Sequence, residues 1–274
     1  QEDISRIKIC IVGLGSVGSM VAESLARTGF ANFILIDFDK YEIKNRDRSM
    51  NVKKKDIGQY KVAVTARAIK ENGTAKKIRV QTFARSIYDQ EAFRASVGSD
   101  VVFSCVDRPH PRQILNFISY AHLIPVIDGG IRVRTNKANT RLIGADWKIK
   151  PIGYERPCLE CLEQFPAPFA NLDKDGLLDD PKYMEGADAS IQKLVSSENV
   201  FAFSMNVASF EVLQLISLIV LPEYQSKVNQ QFYHLTTHEF EGNSPNECRS
   251  NCFYKAITGE GDNAGVIMYK QVLF

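Results

Sequence analysis

The chain has 274 residues, of which 45% are hydrophobic and 24% charged, enough to bury a core as one large α/β domain or two small ones. Its net charge of +2 makes no electrostatic case for nucleic acid or a membrane surface as partner. The first residues lack the basic region, apolar stretch and cleavage site of a secretion signal, so a cytoplasmic protein is expected.

The first apolar run, Ile7 to Val12, is short, β-branched and bounded by glycine, the mark of a buried parallel strand. GLGSVG follows at Gly13 to Gly18, then helical spacing over Ser19 to Thr28 with Gly29 as C-terminal cap. Phe33 to Ile36 reads as a second strand ending at Asp37, Lys61 to Lys70 as a helix, and Ile78 to Phe83 as a third strand. Val101 to Val106 and Ile124 to Ile127 give a fourth and fifth, with Thr140 to Lys148 a further one. Strands alternating with helices predict βαβ crossovers and a Rossmann-like, doubly wound, mostly parallel sheet. Phe165 to Ser197, rich in proline, aspartate and glycine, reads as a long surface loop. Val200 to Leu221 is apolar and long enough to span a bilayer, but Asn206, Glu211 and Gln214 interrupt it. A charge there is costly in lipid, and a helix packed on the sheet is expected instead.

Gly13, Gly15 and Gly18 form G-x-G-x-x-G between a strand and a helix. The first permits a tight turn, the second a close approach of backbone to phosphate, the third close packing of helix on strand. The helix N-terminus then offers free N–H groups to an anion. Asp37, 19 residues beyond Gly18, stands where an acid binds ribose hydroxyls. These features fit NAD as well as ATP. Arg48, Lys61, Asp107, Arg112 and Asn45 would lie near the carboxyl ends of the strands, where open α/β sheets bind ligands. Fixed cations and a carboxylate that could hold Mg²⁺ suit a triphosphate losing pyrophosphate better than a dinucleotide. Two close cysteine pairs, Cys158-x-x-Cys161 and Cys248-x₃-Cys252, point to metal rather than disulfides and can supply four thiolates to a tetrahedral zinc. Unrelated free thiols are the alternative. Cys10 and Cys105 read as core, and His110 as a loop residue.

Taken in order, GLGSVG, IDFDKYEIKNRDRS, IGQYK, SCVDRPHPRQILN and PCLEC resemble the adenylation domain of the MoeB/ThiF/HesA family, which includes the ubiquitin-activating enzymes. The resemblance is firm over about residues 6 to 165 and weaker over 200 to 274. It implies one adenylation domain over 1–274: a nucleotide-binding core at 1–150, a first zinc knuckle and crossover loop at 151–199, and a C-terminal helix, second knuckle and tail at 200–274. It assigns nucleotide binding to Gly13, Gly15, Gly18, Asp37, Asp39, Asn45, Arg48, Lys61 and Asp107, with Arg48, Lys61 and Asp107 catalytic. The zinc ligands would be Cys158, Cys161, Cys248 and Cys252; the three-residue gap in the second pair departs from the usual two.

The reaction so implied joins the C-terminal glycine carboxylate of a ubiquitin-like protein to the α-phosphorus of ATP, with Mg²⁺, releasing pyrophosphate. The acyl-adenylate would pass onward to a conjugating enzyme, and the enzyme would be a homodimer. Family dimers often borrow an arginine from an N-terminal helix of the partner, which this stretch of sequence does not display. Phe165 to Ser197 holds no cysteine to serve as a thioester nucleophile. The forms around Asp107 to Arg112 and Asp128 to Gly130 are most similar to bacterial members of conjugation systems. A sulfur-carrier activator, a tRNA-modifying enzyme of the same superfamily and a non-catalytic scaffold subunit are the competing expectations.

Overall fold

A computed structural model describes residues 4–136, 140–188, 191, 199–221, 230–243 and 247–264. Eight strands form one sheet: β1 (Lys8–Val12), β2 (Asn32–Ile36), β3 (Arg79–Phe83), β4 (Val101–Ser104), β5 (Val126–Thr135), β6 (Leu142–Ile152), β7 (Gln230–His234) and β8 (Glu239–Asn243). Their order is β3-β2-β1-β4-β5-β6-β7-β8. The first five pair in parallel, and β5 to β8 pair antiparallel. The mostly parallel Rossmann-like half is as expected; the antiparallel extension is additional. The chain leaves β1 toward β2 and β3, then returns to β4 and β5 on the other side. That reversal opens a crevice at the carboxyl ends of β1 and β4.

Helices cover both faces, so the inner strands are apolar on both sides. Ile9 and Ile11 of β1 pack with α1 (Ser16–Thr28), α2 (Lys61–Asn72) and α7 (Phe201–Val220). Cys10 and Val12 face the other way, toward α3 (Gln90–Val97), α4 (Pro109–Ala121) and the first cysteine knuckle. A Gly29 turn at φ 106° ends α1, with N–H groups of Gly29 and Phe30 returned to Ala26 and Leu25.

The 165–197 segment is not the plain loop that its composition predicts. It contains α5 (Ala167–Lys174), a 3-10 turn at Leu177–Asp179 and α6 (Pro181–Gly186). Its prolines start helices rather than break them: Pro168 sits in the first turn of α5, and Pro181 opens α6 behind Asp180, whose carboxylate accepts from Lys182 N–H (2.9 Å). Residues 189–190 and 192–198 lie outside the described residues. His110 likewise is no loop residue. It is buried in the first turn of α4 and stacks on Tyr88 at 5.6 Å between ring centroids.

α7 is long and apolar enough to cross a membrane, yet it lies against α1, β5 and β6. One stripe, Ser204, Val207, Ala208, Glu211, Val212 and Leu215, is buried; Met205, Leu213 and Val220 remain exposed. The membrane-costly Glu211 is 0% exposed, so the charge in this helix faces protein.

Candidate active site

The glycine turn is fixed by close contacts. Gly13 has φ 86°, and a Cβ there would stand 2.5 Å from the Cys105 carbonyl oxygen. A Cβ on Gly18 would stand 1.9 Å from the Gly13 carbonyl oxygen. Gly15, the N-cap of α1, has nothing within 4 Å of a Cβ. Gly13 and Gly18 are therefore packing requirements, and Gly15 leaves open space at the helix N-terminus where an anion would approach.

Asp37, at the end of β2, is buried and bonded to this turn. Leu14 N–H donates to Oδ2 (2.6 Å) and Asp39 N–H to Oδ1 (2.8 Å). Burial pushes its carboxyl up, while Lys61 and the two N–H donors pull it down. Lys61, first residue of α2, donates its N–H to the Asp39 carbonyl (2.9 Å) and reaches Asp39 Oδ2 with Nζ (2.7 Å). The Tyr41 hydroxyl donates to the Leu14 carbonyl (3.1 Å). Asp37 thus bonds the turn directly, and Asp39 and Lys61 follow it in a chain of bonds.

Asn45 and Arg48 lie on the following loop. Asn45 Oδ1 accepts from Glu42 N–H (2.9 Å), and its carbonyl accepts from Arg48 and Ser49 N–H (3.3 and 3.0 Å). The loop is docked on α1 by Met50 N–H to Ser19 Oγ (3.0 Å) and Asn51 to Glu23 (2.7 Å). Asp107 is exposed three residues beyond β4, just after Cys105, the residue against which Gly13 and Gly18 pack. The Arg48 and Asp107 side chains form no hydrogen bond or ion pair with described residues. Asn45 is thus a turn-former, while Arg48 and Asp107 are uncommitted charges.

A buried polar group beneath the crevice was not assembled by sequence reasoning. Asp128 on β5, 0% exposed, accepts from Ser104 Oγ (2.5 Å) and Arg112 Nε (3.1 Å). Arg112 also donates to the Gly129 carbonyl (3.4 Å). Glu211 of α7 is buried on the other face of the same strand: a Cβ on Gly129 would stand 2.5 Å from its Oε1. Glu211 as the one charged residue of this 20-residue helix was the available signal. Burial pushes the Cys105 thiol far up, with the Glu211 and Asp128 charges adding, so it is no ready nucleophile. Cys10 is fully buried.

The four knuckle cysteines converge: all four sulfurs lie within 4.8 Å of one another, and Cys158 and Cys252 stand 3.7 Å apart. Tetrahedral zinc with bonds of about 2.3 Å needs sulfurs about 3.8 Å apart. N–H groups of Cys158, Cys161 and Arg249 point at Cys248, Cys158 and Cys161 sulfurs (3.2, 3.4 and 3.5 Å), the outer-shell support that thiolate ligands use. A hydrogen bond from Cys158 draws the Cys248 thiol down to about 5. The donor set fits zinc.

Fold and site together define a doubly wound α/β protein with a glycine-rich turn and an Asp37–Asp39–Lys61 group at the sheet's switch point. The chain belongs to the ThiF family, whose model matches residues 1–252. It is 33% identical over 123 residues to the tRNA threonylcarbamoyladenosine dehydratase of Escherichia coli (strain K12), covering 44% of this chain and 45% of that protein. It is 28% identical over 167 residues to the molybdopterin-synthase adenylyltransferase of the same organism, covering 60% and 61%. With ubiquitin-like modifier-activating enzyme 5 of Oryza sativa subsp. japonica it shares 28% over 128 residues, covering 42% and 30%. The matches thus span about half or less of the first and third of these proteins. The crystal structure of E. coli MccB with ATP superposes with TM-score 0.66 at 17% identity, covering 91% of this chain and 67% of that one, a likeness of fold alone.

Proposed function

We propose that this protein adenylates a carboxylate with ATP, and that the carboxylate is the C-terminal glycine of a ubiquitin-like protein. The observation that carries the reading is the bonded line from Leu14 through Asp37 and Asp39 to Lys61, set beside the uncommitted Arg48 and Asp107. Asp37 would hold the ribose, the Gly13–Gly18 turn would offer backbone N–H groups to the phosphates with Gly15 leaving room for them, and Asn45 would hold the loop that carries Arg48. Lys61 and Arg48 would neutralise the phosphates, with Asp107 holding Mg²⁺. The attacking carboxylate is already ionised, so positioning and charge stabilisation suffice and no general base is needed. Zn²⁺ held by Cys158, Cys161, Cys248 and Cys252 would have a structural role. The same reading carries a homodimer in the cytoplasm and a conjugating enzyme as acceptor; a sulfur-carrier protein would be served by identical chemistry.

The identity with the tRNA-modifying dehydratase favours a second reading, in which the activated carboxylate sits on a tRNA nucleoside. ATP–pyrophosphate exchange separates the two. Exchange that depends on a small protein ending in glycine supports the first; exchange that depends on tRNA supports the second. No exchange with either, from a protein that binds no ATP, refutes both.

A further inference from the structure

The start of α4 borrows its cap from another segment. Of its first three residues, Pro109, His110 and Pro111, only His110 carries an N–H, and Arg108 at the N-cap makes no side-chain cap bond. Asp173 of α5 supplies the acceptor. Its Oδ2 takes the His110 N–H (3.0 Å), and its Oδ1 pairs with the Arg108 guanidinium (3.5 Å). The Asp173 side chain is 9% exposed, so both bonds are shielded from water, where charge-assisted hydrogen bonds are strong. Arg108 reaches on to the exposed Asp179, in the 3-10 turn after α5. Ala170, one turn before Asp173, is fully buried in the core that α4 shares, which seats α5 with its carboxylate aimed at the start of α4.

Asp107 lies between β4 and this borrowed cap. Before it, the Cys105 N–H is fixed to the Val12 carbonyl (2.9 Å). Among the described residues, the N–H groups of Val106, Asp107 and Arg108 form no hydrogen bond. Asp107 is exposed, so its placement is inherited from two anchors: Cys105 on one side, and Arg108 and His110 on the other. We propose that Asp173 is a positioning residue, which holds Arg108 and His110 and thereby sets Asp107 at the nucleotide crevice, so that α5 and the Asp107 loop move as one unit. That Asp107 meets a ligand rests on the adenylation reading; that Asp173 holds its loop does not.

Two measurements test this. In the first, amide hydrogen exchange of the 105–115 segment is followed without nucleotide. Asp173→Ala should speed it, whereas Asp100→Ala should not, since that change removes a carboxylate bond to the Lys8 N–H (2.7 Å) at the amino ends of β1 and β4, away from the crevice. In the second, ATP binding is read by calorimetry while Mg²⁺ is titrated. Asp173→Ala should raise the Mg²⁺ concentration for half-maximal binding about tenfold, with binding in the absence of Mg²⁺ within about twofold of wild type. Asp173→Asn keeps an acceptor for the His110 N–H and should recover part of that rise; if Asp173→Ala does not fold, it carries both comparisons with smaller shifts. On an Asp107→Ala background, Asp173→Ala should add nothing, because a positioning residue has no effect without the group it positions. Unchanged hydrogen exchange in Asp173→Ala overturns the tie. Faster exchange with the Mg²⁺ dependence of wild type, or an equal further loss on the Asp107→Ala background, overturns the positioning role. Faster exchange in Asp173→Ala, with no ATP bound even by wild type, upholds the tie and counts against the adenylation reading instead.

Discussion

Gly18 and Gly15 should respond in opposite ways to the same added methyl. A Cβ on Gly18 would sit 1.9 Å from the Gly13 carbonyl oxygen, 2.9 Å from its carbon and 3.2 Å from Cys105 Cβ. Two of these are backbone atoms, so the turn itself must move by more than an ångström. Overpacking of this kind costs about 1–3 kcal/mol, and the upper end applies because nothing flexible can yield. Alanine in a helix returns about 1 kcal/mol. The net for Gly18→Ala is roughly 2 kcal/mol of lost stability, or about 4–8 °C in Tm for a chain of this size. At Gly15 no atom lies within 4 Å, so Gly15→Ala should leave stability within about 1 kcal/mol of wild type. Its methyl instead occupies the space that a phosphate needs at the N-terminus of α1. Thermal melts with and without ATP check both. Gly18→Ala should melt early, whereas Gly15→Ala should melt normally but lose the ATP-induced rise. Normal melting of Gly18→Ala, or a full ATP response from Gly15→Ala, would refute the assignment of packing to one glycine and ligand approach to the other.

Lys61→Ala and Asp107→Ala should each lower pyrophosphate exchange by at least a hundredfold, with Tm unchanged for the exposed Asp107; wild-type kinetics would remove either from the site. Asp56 is buried; burial raises its pKa, but the Lys53 N–H and the Arg67 guanidinium (2.8 Å) more than offset this and hold it below the usual carboxylate value. Its contribution is therefore full above about pH 4 and is lost as pH falls through the depressed native value. Arg67→Ala should cost roughly 1–3 kcal/mol at neutral pH and lessen that acid-side loss, as urea titrations at several pH values would show. Cys252→Ser, or chelation, should lower Tm and release about one zinc per chain; a metal-free preparation with unchanged melting would rule out a structural ion.

The parallel half of the sheet was legible because its strands are short apolar runs buried on both faces, as in Ile9 to Val12 and Val101 to Ser104. The glycine turn was legible because its spacing has one geometric use. β7 and β8 were not, since QQFYH and EFEGN carry polar residues at half-covered positions and give neither clean alternation nor an apolar run. α4 was hidden by Pro109 and Pro111, which read as breakers but occupy its first turn. Motif spacing nominated Asp37, Lys61, Arg48 and Asp107, of which the structure joins Asp37 and Lys61 through Asp39. It could not find Glu211, because only packing of α7 on β5 sets that carboxyl against Gly129.

α4 joins the two parts of the site that look separate. Its first turns hold Arg112 to Asp128 (3.1 Å) and give the His110 N–H to Asp173 of α5 (3.0 Å). Its later turns are fastened to the knuckles: Asn116 Oδ1 accepts from Leu159 N–H (2.9 Å), the Tyr120 hydroxyl donates to the Arg156 carbonyl (2.6 Å), and the Tyr120 carbonyl accepts from Gly259 N–H (3.0 Å). From Arg112 to Tyr120 the helix rises about 12 Å. A metal among the cysteines would thus steady the far end of the lever whose near end carries Arg112. Its removal leaves the bonds to Asp128 and Asp173 intact, so stability should fall before affinity for nucleotide does. The reverse order would mean that the knuckles act on the crevice by a route other than this helix.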